Sequence, residues 1–268
     1  MKYTRSSLAA ALAALAAPAL AADLPARSMS PPMPAYIAPP FTWTGLYVGV
    51  NAGGIFGQSG TTQTTGTPGF VALGPTLVPS SLSTKGSGFI GGGQIGYNYQ
   101  VGSFVAGAET DFDYSSLSKS ASFTSPGTVL GTSLTTSAKS KLDYLGTVRA
   151  RLGYVVYDRL LIFATGGFAY GDVRTTTSVV PNAVPGGLWS GSTNNTRGGY
   201  AVGGGAEYAL TNNVTLKGEY LYYDLGKQST SAIGNGVIRS VAALNGVDYV
   251  SSTRNAGSIV RLGLNYKF

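Results

Sequence analysis

Val260-Arg261-Leu262-Gly263-Leu264-Asn265-Tyr266-Lys267-Phe268 alternates apolar and polar residues without a break and closes on an aromatic. In an extended chain successive side chains point to opposite faces. Phe268, Tyr266, Leu264, Leu262 and Val260 therefore share one face, and Lys267, Asn265, Gly263 and Arg261 the other. One face suits lipid and the other a polar interior, the pattern of a strand in a membrane-spanning β-barrel.

Working outward from this segment, the same period-2 alternation recurs from Phe41 onward. It predicts eight strands, at 43–56, 87–100, 103–115, 141–155, 160–172, 198–210, 214–224 and 256–268. The separators alternate in length. Val101-Gly102, Val156 to Arg159 and Thr211-Asn212-Asn213 are short, whereas 57–86, 116–140, 173–197 and 225–255 are long and dominated by Ser, Thr, Gly and Asn. Short turns at one end and long loops at the other predict an all-β, eight-stranded antiparallel up-and-down transmembrane barrel, with periplasmic turns and external loops. A soluble sandwich carrying four structureless loops of that length is disfavoured.

The N-terminus points to export. Lys2 and Arg5 make a positive n-region, Leu8 to Ala17 a short apolar h-region, and Ala19-Leu20-Ala21 a small-x-small cleavage site. Residues 1–21 read as a cleaved signal peptide. The apolar run is too short for a spanning helix and breaks at Pro18. Residues 22–40, ADLPARSMSPPMPAYIAPP, read as a Pro-rich periplasmic tether that could touch peptidoglycan, and 41–268 as the outer-membrane barrel.

Composition excludes several functions. The chain has no Cys and no His, so thiol chemistry and Ser-His or Asp-His chemistry are impossible. A secreted chain without disulfides must satisfy its backbone in another way, and a closed barrel does so. The formal charge is +7, but the basic residues are scattered and no nucleic-acid motif accompanies them, so nucleic acid is not expected as a partner. Anionic lipid headgroups are. Lys85, Lys119, Lys139, Arg174, Arg197, Lys227, Arg239 and Arg254 all fall in the long loops and are candidates to lie against lipopolysaccharide phosphates.

Aromatic placement supports the threading, because membrane interfaces attract Tyr and Trp. Phe112, Tyr114, Tyr144, Tyr170, Tyr200, Tyr220 and Tyr222 fall at the loop-side ends of strands. Trp43, Tyr97, Tyr99, Phe104, Tyr154, Tyr208, Tyr266 and Phe268 fall at the turn-side ends. From Phe104 to Tyr114 a tilted strand rises about 25 Å, the height of the apolar band. Between the two girdles Leu46, Val48, Val50, Ile95, Ala106, Val148, Leu152, Ile162, Val202, Leu216, Leu262 and Leu264 are expected to face lipid. LLIFATGGFAY in strand five is apolar on both faces and leaves its facing open.

Several of these segments together resemble a known family. PPFTWTGLYVGVNAGG, GYNYQ, LGTVRARLGY, ATGGFAYG and the closing VRLGLNYKF are similar to the outer-membrane immunogenic proteins of the "porin family", small barrels like the transmembrane barrel of OmpA. The resemblance covers nearly the whole mature chain. It implies an eight-stranded, surface-exposed outer-membrane protein whose last strand, through Phe268, Tyr266, Leu264 and Leu262, is read by the outer-membrane insertion machinery. No peptidoglycan-binding domain follows the barrel in this sequence.

Two motifs carry candidate chemistry. Gly91-Gly92-Gly93-Gln94-Ile95-Gly96 matches GxGxxG, but it runs on into an alternating strand and lacks the strand–helix context a dinucleotide needs. The glycines instead make room for close packing, and no cofactor is expected. Glu109, Asp111 and Asp113 occupy alternate positions and project inward, as do Arg149, Arg151, Glu207, Lys217, Glu219 and Arg261. An acid–base pair or metal site is one reading of the carboxylates. The reading adopted is an interior ladder of ion pairs, because eight strands leave a lumen only wide enough for side chains. No catalytic or metal site is assigned.

The expected function is a non-enzymatic surface protein of the outer membrane that supports envelope structure. A small channel for ions or solutes is one alternative, and a receptor or adhesin working through the loops another. Haem fits poorly, since without His only Tyr and Met remain of its usual side-chain ligands.

Overall fold

In a computed structural model of the chain, residues 41–72, 77–126, 133–182 and 185–268 are described. The expected signal peptide and tether, 1–21 and 22–40, lie outside them. Eight antiparallel strands close on themselves: β1 (Gly45–Gly66), β2 (Ser81–Val101), β3 (Phe104–Thr124), β4 (Leu134–Tyr157), β5 (Leu160–Pro181), β6 (Trp189–Ala209), β7 (Val214–Gly234) and β8 (Tyr249–Lys267). Every strand pairs with its neighbour in sequence, and β8 returns to β1 with Leu264 opposite Val50. Closure leaves no free edge, which satisfies the backbone inside lipid.

Each expected strand is present, but its loop-side end runs further than predicted. β3 continues to Thr124 and β4 begins at Leu134, so most of the expected loop 116–140 is sheet. The stretches lost to the strands are rich in Ser, Thr and Gly. There the outer face meets water while the inner face carries hydroxyls as well as apolar groups, so hydropathy alternates too weakly to mark a strand. At about 3.3 Å per residue and a tilt near 40° the wall stands roughly 50 Å high, and about half of that lies beyond the loop-side aromatics. Short helices α1 (Pro68–Val71) and α2 (Gly236–Ser240) and a 3-10 turn at Ala242–Leu244 close the loop end.

The turn end is built from tight connections. Gly102 adopts φ +59 between β2 and β3, a conformation that favours glycine over any side chain. Gly45, at φ +143, redirects the chain ahead of β1. Trp43, expected in the turn-side girdle, is consequently folded under the barrel mouth. It is 2% exposed, stands edge-on to Phe41, and clusters with Val105, Leu161 and Ala209. This corrects its place in the turn-side girdle. Inside, the indole packs against Val105, Leu161 and Ala209, whereas outside its ring would add only to an already aromatic surface.

The remaining outward residues follow the alternation. Val50, Leu152, Leu262 and Leu264 are exposed on the outer wall, and so are Tyr97, Phe104, Phe112 and Tyr114. In β5, Leu161, Phe163 and Ala169 point inward and Ile162 and Phe168 outward, which settles the facing that composition left open.

Candidate functional site

Inward positions fill the barrel in layers. Above the Trp43 cluster come the nine expected charged residues, each no more than 4% exposed. Over them lies an apolar layer that includes Ile55, Ile90, Leu117, Leu145, Leu221, Tyr223 and Ile259. Further along, polar groups such as Lys119, Gln228 and Asn255 line the interior, and a second apolar cluster with Phe70, Trp189, Ile238 and Tyr249 caps the loop end. Trp189 Nε1 donates to the Val247 carbonyl at 2.7 Å, fastening the cap.

The charged layer is assembled by register. Glu109 stands directly opposite Arg149 across β3–β4, Glu207 opposite Lys217 across β6–β7, and Glu219 opposite Arg261 across β7–β8. Arg149 reaches Glu109 at 2.6 Å, Asp111 at 2.7 Å and Glu219 at 2.6 Å, and its Nε donates to Thr147 at 2.8 Å. Arg261 spans Asp111 and Asp113 at 2.6 Å each and Glu219 at 2.8 Å. Lys217 Nζ donates to both Glu109 oxygens at 2.8 Å and to Gln94 Oε1 at 2.9 Å. Arg151 pairs with Glu207 and lies 3.8 Å over the Phe163 ring.

All nine expected residues therefore meet in one network. Its polar partners were not singled out from the sequence. Tyr47 donates to Glu109 at 2.7 Å, and Thr215 and Asn265 donate to Glu207. Gln94 links Lys217 to Asn51 and Asn265. Alternation did contain the signal, since Tyr47 falls between outward Leu46 and Val48. Gly96 supplies the space: a Cβ there would sit 2.4 Å from the Tyr47 hydroxyl. The Gly91–Gly96 run thus lies within β2 and serves packing.

Three expected loop cations take other places, and Arg197, opposite inward Gly171 across β5–β6, is one of them. Lys119 is on β3 and points inward, 3% exposed, so it is withdrawn from the set facing lipopolysaccharide. Its Nζ has no hydrogen-bond partner, and burial beyond the loop-side girdle holds the amine down to about 8. Arg239, on α2, pairs with Asp248 at 3.4 Å in the cap. No group of three or more Asp or Glu among the described residues is arranged to hold a metal ion. On β8, Leu262, Leu264, Tyr266 and Phe268 form an unbroken exposed face, with the Tyr266 and Phe268 rings 5.2 Å apart.

Comparison with known proteins gives a consistent family. The sequence model described as "Outer membrane protein beta-barrel domain" matches residues 7–268. The chain is 38% identical to the 31 kDa outer-membrane immunogenic protein of Brucella melitensis, over 98% of this chain and 100% of that protein. It is 25% identical to the 25 kDa outer-membrane immunogenic protein of the same organism, over 97% of this chain and 96% of the relative. Among solved structures it is similar to OprG of Pseudomonas aeruginosa, with TM-score 0.43, 13% identity, and coverage of 84% of this chain and 96% of that one.

Proposed function

The chain belongs to the outer membrane protein β-barrel family and resides in the bacterial outer membrane, and on that premise we propose that it is a closed, non-enzymatic wall element that presents its loop end at the cell surface. The observation that carries this reading is the charged layer. Four cations and five carboxylates interlock across the lumen within hydrogen-bonding distance. Apolar layers above and below the network add two further closures. An eight-stranded wall encloses only enough space for such side chains.

The barrel half beyond the loop-side aromatics rises about 25 Å above the apolar band. With its capped end it offers a large rigid surface to the exterior. Envelope support then follows from the lipid-facing girdles, and surface presentation from the projecting half. The test is conductance. Purified monomer refolded into planar bilayers is expected to give no resolvable single-channel steps in molar salt, whereas large stable steps overturn the closed-wall reading in favour of a channel.

A further inference from the structure

Just beyond the loop-side aromatics, four strands each carry a cation on the outer wall, Lys141 on β4, Arg174 on β5, Lys227 on β7 and Arg254 on β8, while Arg197 on β6, opposite inward Gly171, takes the inner side. All four outer cations are exposed. Lys141 stands three residues beyond Tyr144 and Arg174 four beyond Tyr170, a rise of about 8–10 Å along tilted strands. That is the level of the headgroups outside the hydrocarbon.

The register makes the belt costly when nothing binds it. Lys141 lies directly opposite Arg174, and Lys227 directly opposite Arg254. Like charges facing each other across paired strands destabilise the sheet. Internal acids offset little of this. Asp224 is engaged by Arg254, while Asp172, on the same face as Arg174, and Asp143, in the β4 bulge, form no ion pair among the described residues. From the inner side, the Arg197 guanidinium donates to the Lys227 carbonyl. Further out along the β3–β5 wall, Lys139 and the hydroxyls of Ser120, Ser122, Ser137 and Thr176 line an open groove suited to sugar hydroxyls.

We propose that this belt binds the phosphate groups of lipopolysaccharide in the outer leaflet, the groove beside it receiving the attached sugars. Guanidinium and ammonium groups at headgroup height are the donors that phosphate oxygens recognise, and a bound phosphate placed between two facing cations turns each repulsive pair into a bridged one. The inference rests on the loop end facing the cell exterior.

The experiment uses the full-length mature barrel refolded in neutral detergent, its folded state confirmed by heat-modifiable gel mobility. It is titrated with bisphosphorylated lipid A, dephosphorylated lipid A, phosphatidylglycerol or inorganic phosphate. Bisphosphorylated lipid A is expected to bind the most tightly. The double variants Lys141→Gln/Arg174→Gln and Lys227→Gln/Arg254→Gln are each expected to lose at least tenfold in affinity, and the turn-side variant Arg159→Gln to lose none. Stability supplies a second readout with a change of sign. Lys141→Gln should raise the unfolding midpoint without lipid, by removing a facing charge, and lower it relative to wild type when lipid A is saturating. Equal binding of dephosphorylated lipid A or phosphatidylglycerol, unchanged affinity in both double variants, or a midpoint that moves the same way with and without lipid each overturns the proposal. If a double variant does not fold, Lys227→Gln alone is read in the same assays. Orientation is checked separately. A cysteine placed by Gly236→Cys in this Cys-free chain should react with an impermeant thiol reagent on whole cells; failure to react refutes the external placement of the loops, whatever lipid A does in detergent.

Discussion

Arg149 shows how much one buried side chain can hold. Its guanidinium is the shared partner of Glu109, Asp111 and Glu219, all buried. Removing one member of a buried charge network leaves the others desolvated and unpaired, at a cost of about 3–5 kcal/mol. Arg149→Met is therefore expected to lower the unfolding free energy of the barrel, read from urea titration in detergent, by an amount of that order. Exchanging an exposed cation such as Lys85 should change it by no more than about 0.5 kcal/mol. Lys119 predicts the opposite sign. Its amine titrates near 8 in the folded barrel, against an ordinary lysine value of 10.5, because burial disfavours the charged form. The unfolded chain thus binds the extra proton between those two values, and wild-type stability rises with pH across that window. Below about pH 8 the penalty is fully present, so Lys119→Met should stabilise at pH 7, on the order of 2–3 kcal/mol. That gain should fade as the pH approaches 10.5, and an equal gain at both pH values refutes the assignment. The nine network residues were legible in the sequence because strand alternation alone decides which way a charge points. The inward burial of Lys119 was not, since it sits in a Ser-rich stretch whose strand character the sequence conceals.

At the scale of the element, β8 joins two roles on opposite faces. Arg261 and Asn265 enter the interior network, while Leu262, Leu264, Tyr266 and Phe268 make a continuous apolar outer face. We expect that outer face to be the part the insertion machinery reads. Phe268→Ala should reduce the amount of barrel inserted in cells several-fold, while the same protein refolded in detergent loses no more than about 1.5–3 kcal/mol, the worth of burying one such ring. Undiminished insertion confines Phe268 to the girdle. The strands also divide along their length. Backbone amides between the two aromatic rings lie in lipid, and those beyond Tyr114 and Tyr144 lie in water. Amides of the projecting segments, such as Ser120–Thr124, are expected to exchange with deuterium at least tenfold faster than those of Phe104–Phe112, since solvent-exposed sheet opens locally at lower free energy. Uniform protection along β3 contradicts this division. The apolar half of every strand was readable because lipid outside and polar groups inside produce strong contrast, whereas the projecting half faces water and offers little.

For the molecule as a whole, closure is redundant. The lumen is filled in turn by the Trp43 cluster, by the charged network, and by the apolar layer around Leu145, Leu221 and Tyr223. Loosening only the network, with Glu109→Gln and Lys217→Met together, is expected to leave planar bilayers without single-channel steps, because two dry layers still block the path. Appearance of steps in that variant places the only effective seal in the charges. The sequence by itself determined the class of fold, the number of strands, the alternation of short turns with long connections, and, outside strand five, which membrane-spanning side chains face lipid or lumen. All of these are local consequences of a two-residue period read against two different solvents. Tertiary structure alone decided the height of the wall, the inward turn of Trp43, the withdrawal of Lys119 and the facing cations of the outer belt. Those depend on the register between strands and on the closing of the cylinder, and register brings together residues far apart in the chain that no local pattern relates.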